Sequence, residues 1–357
     1  MSPYQQLVQR TDTVVRNLPP AAFAFVMATA ITALGFSVLD KRAISLALIS
    51  VAAAGGVVLM IATIWRLVRH ADSVMDDVGN ASTTFGFFTI VAACDVLGAY
   101  ASMSGHVVAF TVLAVFGAAV WLLLTYALPA RVLLVHGDRS VLNDVNGSWF
   151  LWVVGTQSVA TSAAIGARHF HPEVMSAVAV GLWGVGIALY MIIATLVTLR
   201  MLVRENPPSG LSPVYWIYMG ATAISVLAGS RILLLPEDLS VMRATEHFVS
   251  GMSFLLWSLG MWWIPLLIVF GIWRHGIRRV PVTYEAALWS IVFPMGMYSV
   301  ASILYGATRS MEFMVRVGQT GIWVAALVWA LATVAMIRAG MRWFRTRAQP
   351  PVVTDTD

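Results

Sequence analysis

Few residues of this 357-residue chain are equipped for chemistry, and the conspicuous ones lie inside apolar runs. Asp95, in Ala92-Ala-Cys-Asp-Val-Leu97, falls near the middle of one of them. A charge at that depth costs at least about 2.5–3.5 kcal/mol on insertion scales, so the carboxyl must be protonated, paired or wetted. Two roles stay open for it: a proton-coupling carboxylate or wall of a conduction path, or a structural hydrogen bond to a Ser or Thr of a neighbouring helix. An ionised Asp95 facing a lumen would repel anions, so an anion path requires it neutral or turned away. Gln157 and Thr161 are four residues apart and share a helical face. Their amide and hydroxyl dipoles can serve an ion or a hydrogen bond between helices. Arg231, near the end of another run, either snorkels to the interface or attracts anions at a pore mouth.

Other chemistries find little support. Cys94 is the single cysteine, so there is neither a disulfide framework nor a CxxC pair. His169-Phe-His-Pro-Glu173 is a weak metal pattern, two histidines two apart with one carboxylate. All seven histidines fall in loops or near the ends of apolar runs, which argues against the paired histidines of a haem-holding bundle. No P-loop, HExxH or Gly-x-Ser-x-Gly motif occurs. The expectation is a protein without metal, cofactor or enzymatic activity. A membrane enzyme assembled from sequence-distant groups is the alternative.

The elements that must position these residues follow from composition. With 59% hydrophobic residues, 11% charged residues and a mean hydropathy of +0.81, the chain is too apolar for a soluble globule, where charged residues make up roughly a quarter. It reads as an integral membrane protein. The net charge of +5 is spread between apolar runs, as orientation signals are, and forms no nucleic-acid patch. Apolar runs at about 19–39, 43–68, 85–102, 107–135, 149–167, 174–200, 213–235, 248–273, 285–308 and 317–344 predict ten membrane helices. The first run is longer than the core of a signal peptide and reads as an uncleaved helix. Taken in pairs the runs form five helical hairpins, a repeat of about 65 residues visible in hydropathy more than in letters. Flanking them are a polar segment at 1–18 and a tail at 345–357, read as cytoplasmic and, for the tail, disordered. Cytoplasmic termini put fifteen of the 22 basic residues inside and seven outside, the favoured orientation in a cell (inner) membrane. All five odd-numbered helices then run outward, and their N-termini, each carrying roughly half a positive charge, gather at the inner mouth.

The ninth run contains Trp289-Ser-Ile-Val-Phe-Pro-Met-Gly-Met-Tyr298. Proline lacks an amide hydrogen and clashes with the carbonyl four residues back, so a kink is expected there with Phe293 at the bend. Phe-Pro-Met-Gly after a Trp resembles the ninth helix of the tellurite-resistance / C4-dicarboxylate transporter family, which includes malic acid permeases and slow-type anion channels. Phe23-Ala-Phe-Val-Met-Ala-Thr-Ala30 resembles that family's first helix, with alanines where Met-Gly-Thr-Gly is usual, and the Trp-rich start at Asn146 is similar to its fifth. The resemblance implies an inner ring of odd helices around a central pore, an outer ring of even ones, and a homotrimer with one pore per subunit. It also implies a gate at Phe293 and Pro294, with Thr29, Gln157, Thr161, Met297 and Asp95 as pore or coupling candidates. The implied partners are the lipid bilayer and small anions, chloride, nitrate or malate-like dicarboxylates, passing through a channel or a proton-coupled carrier. Tellurite resistance by thiol reduction is not expected of a lone Cys94.

Overall fold

The computed structural model describes residues 3–135, 141–207 and 210–346; the tail expected from 345 lies, after Thr346, outside them. Among the described residues there is helix and no strand. The helices are α1 Pro3–Arg16, α2 Ala24–Val38, α3 Arg42–Arg69, α4 Ala71–Gly79, α5 Phe88–Met103 and α6 Val107–Val135. They continue as α7 Phe150–Gly166, α8 Pro172–Val203, α9 Ile217–Ile232, α10 Ser240–Gly271, α11 Trp289–Thr308 and α12 Glu312–Thr346. Among the described residues seven apolar helical stretches are long enough to cross a membrane: those within 42–69, 84–103, 107–134, 172–203, 240–277, 286–308 and 312–342. Apolar backbone in lipid must satisfy its own polar groups, and the helix does so within one segment.

Five helices pack in a closed cycle, α2 on α5, α5 on α7, α7 on α9, α9 on α11, and α11 back on α2. Each member also packs against the helix that follows it: α3, α6, α8, α10 and α12 respectively. Burial separates the two layers. The most apolar 18-residue windows of α5 and α11 are 72% buried, against 11–33% for the five outer helices. Helices of the cycle are apolar all round because protein surrounds them, whereas the outer helices turn bare Val, Leu and Ile to lipid.

Local signals set the ends. Four members of the cycle begin with a short 3-10 turn, at Thr84–Phe87, Gly147–Trp149, Pro213–Trp216 and Ala286–Leu288. These turns touch one another in order, and the last touches α2. Gly147 is needed there, since a Cβ would strike the backbone of Val214 and Tyr215. The N-termini of the five inner helices therefore meet at one end of the molecule. At the opposite end the hairpins reverse through residues of positive φ, Asp40, Gly105, His171 and Ser310. At three of these, Lys41 N bonds Phe36 O, His106 N bonds Ala101 O, and Met311 N bonds Gly306 O, at 2.8–2.9 Å, the six-to-one closure that stops a helix sharply.

Polar clamps hold the N-terminal end. Arg66 donates to Asp77 at 2.6 Å and to the Arg16 carbonyl at 2.9 Å, and His70 pairs with Asp12 at 2.9 Å. Helices α1 and α4 are thereby tied to α3. The hydropathy reading marked neither helix, because both are polar and short.

Candidate functional site: the axis of the helix ring

The inward face of each ring helix follows from what its outward face touches. On α11, Trp257 of α10 donates to Ser302 Oγ at 2.8 Å, Tyr298 donates to the Trp257 carbonyl at 3.0 Å, and Tyr305 to the Ser250 carbonyl at 2.7 Å. Ser299 lies on Gly318 and Gly321 of α12, where no Cβ fits. At 100° per residue these contacts cover the side opposite Phe293, Met297 and Val300, which therefore look into the ring. All three are fully buried. The helix is continuous through Pro294, whose ring lies against Gly220 of α9, 2.8 Å from where a Cβ would stand.

The same construction orients the other four. On α2, Phe25 and Val26 lie over Gly55 and Gly56 of α3 and Phe36 meets Trp323 of α12, which turns Met27, Ile31 and Leu34 inward. On α5, Cys94 and Gly98 face Gly117 and Phe110 of α6, leaving Ala92, Val96 and Ala99. On α7, Trp152 reaches Thr125 of α6 at 2.6 Å and Gln157 reaches α8, leaving Val154 and Ile165 inward and Thr161 at the edge of that face, while Ser158 turns toward α5 and α6. On α9, Thr222 lies on Gly260 and Ser253 on Gly229, leaving Ile224, Leu227 and Arg231. The axis is thus lined by apolar side chains over its middle, with Arg231 toward one end.

The remaining candidates from the sequence divide between the two sides of the ring. Gln157 donates its amide to the Trp183 carbonyl of α8 at 3.1 Å and packs on Gly186, so its amide nitrogen is used between helices, while its Oε1 has no hydrogen-bond partner among the described residues. Thr29 accepts from Trp329 Nε1 of α12 at 3.0 Å, again away from the axis. Thr161 returns its hydroxyl hydrogen to the Gln157 carbonyl at 2.8 Å. Asp95 turns to the junction of α5, α6 and α7, accepting from Ser162 Oγ at 2.8 Å. Its other oxygen and Ser158 Oγ have no hydrogen-bond partner among the described residues. Both residues line a void of about 10 Å³, near the minimum for one water molecule.

Sequence reasoning missed one grouping. Ser102 of α5, Arg168 and His169 at the end of α7, and Arg231 of α9 line a cavity of about 210 Å³ with Ala99, Met103 and Ile165. Residues spread over about 130 positions meet there, and only their common place at the C-terminal ends of three runs hints at it. Among the described residues no group of three or more His, Cys, Asp or Glu is arranged to hold a metal.

The profile of the SLAC1 voltage-dependent anion channel family matches residues 17–337. An uncharacterized membrane protein of Mycobacterium tuberculosis is 42% identical over 149 residues, 42% of this chain and 75% of the relative. An uncharacterized transporter of Methanocaldococcus jannaschii is 22% identical over 227 residues, 62% of this chain and 64% of that protein. The sulfite efflux pump SSU1 of Trichophyton rubrum is 21% identical over 227 residues, 60% of this chain and 58% of that protein. For the last two, the matched part is less than two thirds of the relative's length.

Proposed function

The chain belongs to the SLAC1 voltage-dependent anion channel family, channels and transporters and not enzymes, and on that premise we propose that it passes small anions along the axis of its five-helix ring, with Phe293 as the plug. The observation that carries this reading is the inward turn of Phe293 and Met297 within a closed cycle of helices whose facing side chains are mostly small or aliphatic. A ring filling an apolar bore blocks water and ions; moving it aside leaves a bore whose selectivity comes from width and dehydration cost. The five helix N-termini gathered at one mouth would concentrate anions there without fixed cations, each contributing roughly half a positive charge, screened by solvent.

In this reading all ten apolar helices cross the membrane as five hairpins. Helices α2, α7 and α9 have 15, 17 and 16 residues, roughly 22–26 Å at 1.5 Å per residue, and the turns before them supply the rest of the span. The protein sits in the cell membrane with both termini cytoplasmic, and it assembles as a homotrimer with one pore per subunit, as the family resemblance implies. Light scattering on the detergent-solubilised protein tests the trimer, and a monomer mass refutes it. Candidate cargoes are chloride, nitrate, malate-like dicarboxylates and, by analogy with the sulfite efflux pump among its relatives, sulfite. Tellurite resistance would follow from transport, since Cys94 is a lone buried thiol.

A second reading, a proton-coupled carrier, rests on Asp95, a buried carboxyl with one oxygen free. Reversal potentials in planar bilayers under chloride, nitrate, malate and sulfite gradients, with and without a pH gradient, separate the two. Channel behaviour gives anion-dependent reversal that ignores pH; a carrier's reversal moves with it. Absence of anion-dependent current from Phe293→Ala protein, together with no anion uptake into proteoliposomes, rules out both.

A further inference from the structure

We propose that the end of the ring opposite the gathered N-termini holds an oxyanion-binding site made by Arg231, Arg168, His169 and Ser102. It rests on the reading of the ring axis as the path, and it adds a place where the cargo pauses and a preference for its shape.

The cavity of about 210 Å³ is lined from three consecutive ring helices and the end of α7, with no residue of an outer helix, so it lies on the inner side of the ring. Two guanidinium groups, an imidazole and a hydroxyl face it, and no carboxylate does. Neither arginine has an ion pair among the described residues. Arg231 places one terminal nitrogen 3.7 Å from Met103 sulfur, a weak acceptor, and its Nε is buried without a partner. Asp95, one turn deeper than Ala99 on α5, is engaged by Ser162; it attracts Arg231 through space, while Arg168 repels Arg231, but it makes no ion pair with either arginine and does not line the cavity.

A simpler role for Arg231 is to offset the negative end of the α9 dipole. That role is filled by an exposed side chain at less cost, and it does not account for a second arginine across the same cavity. Like charges facing one space repel, and an anion between them removes both the repulsion and the orphaned donor. Guanidinium forks match the paired oxygens of nitrate, sulfite or a carboxylate and gain less from a spherical halide. The site therefore takes small oxyanions in preference to chloride.

Equilibrium binding of sulfite, nitrate and chloride to the purified full-length protein in detergent, followed by calorimetry, requires no flux and so tests the site apart from the conduction reading. Wild type is expected to bind sulfite and nitrate more tightly than chloride. Arg231→Gln and Arg168→Gln should each weaken oxyanion binding by about ten-fold, the scale of a lost charge-assisted fork. Arg231→Lys should keep chloride binding and lose the oxyanion preference. Arg309→Gln, which removes an arginine already paired with Glu246 at 3.0 Å, is the control and should leave binding unchanged. Melting curves accompany each variant, and exposed Arg168 carries the test if Arg231→Gln does not fold. No oxyanion binding by folded wild type, or equal affinity in wild type and folded Arg168→Gln, overturns the proposal, even if Phe293→Ala protein conducts.

Discussion

Ser162 Oγ on α7 donates to Asp95 Oδ1 on α5 at 2.8 Å, and that bond turns the carboxyl into the α5–α6–α7 junction and off the axis. A charge placed there does not stand in the way of an anion, which removes the objection that a mid-membrane aspartate raises against an anion path. Asp95→Asn should fold, since an amide can keep the Ser162 contact, and should abolish any pH dependence of flux. Proteoliposome uptake measured from pH 5 to 8 checks this, and an unchanged pH profile in the folded variant leaves Asp95 a purely structural role. Ser162→Ala should cost about 1–3 kcal/mol by stranding a buried acceptor, read from the melting midpoint.

Phe293→Ala should turn a nearly closed pore into a conducting one. A ring packed in a core costs about 3–5 kcal/mol to truncate, whereas a ring that borders an openable bore should cost less and raise anion current strongly. Current and melting temperature are measured together, with Met297→Ala, on the same inward face, as the companion. Low current combined with a fall of several degrees would return Phe293 to the core.

Gly220→Ala should strain the α9–α11 contact, because its Cβ would stand 2.8 Å from the Pro294 ring. A loss of about 1–3 kcal/mol is expected from such overpacking. Pro294→Ala should recover part of it in the double variant, since the two residues touch. Additive losses would show that the two do not couple.

Reporter fusions at Val78 and His171 should fall on opposite sides of the membrane, cytoplasmic and external. Val78 belongs to α4, at the end where Arg66 and Asp77 pair, and His171 to a reversal at the other end. Finding both reporters on one side would break the proposed order of crossings.

Hydropathy alone determined the membrane class and the places of the apolar helices, because desolvated backbone leaves few other conformations and a 20-residue apolar run has one cheap solution. It also singled out Asp95 and Arg231, each conspicuous against its neighbours, whereas Phe293 stood out by its place before Pro294 and by the resemblance to the family's ninth helix. The direction each side chain takes was decided by tertiary packing. Ring helices are apolar all round, so their sequence carries no amphipathic stripe to say which face looks inward, and Thr29 and Gln157 read as well for the axis as for an outer helix. Trp329 and the Trp183 carbonyl settle where those two point. Closure of α11 on α2 and the meeting of Ser102, Arg168, His169 and Arg231 likewise join residues far apart in the chain. Such contacts depend on how apolar cylinders of similar surface choose their neighbours, and that choice is made by glycine-sized hollows and buried indole hydrogen bonds that exist only once the helices are side by side.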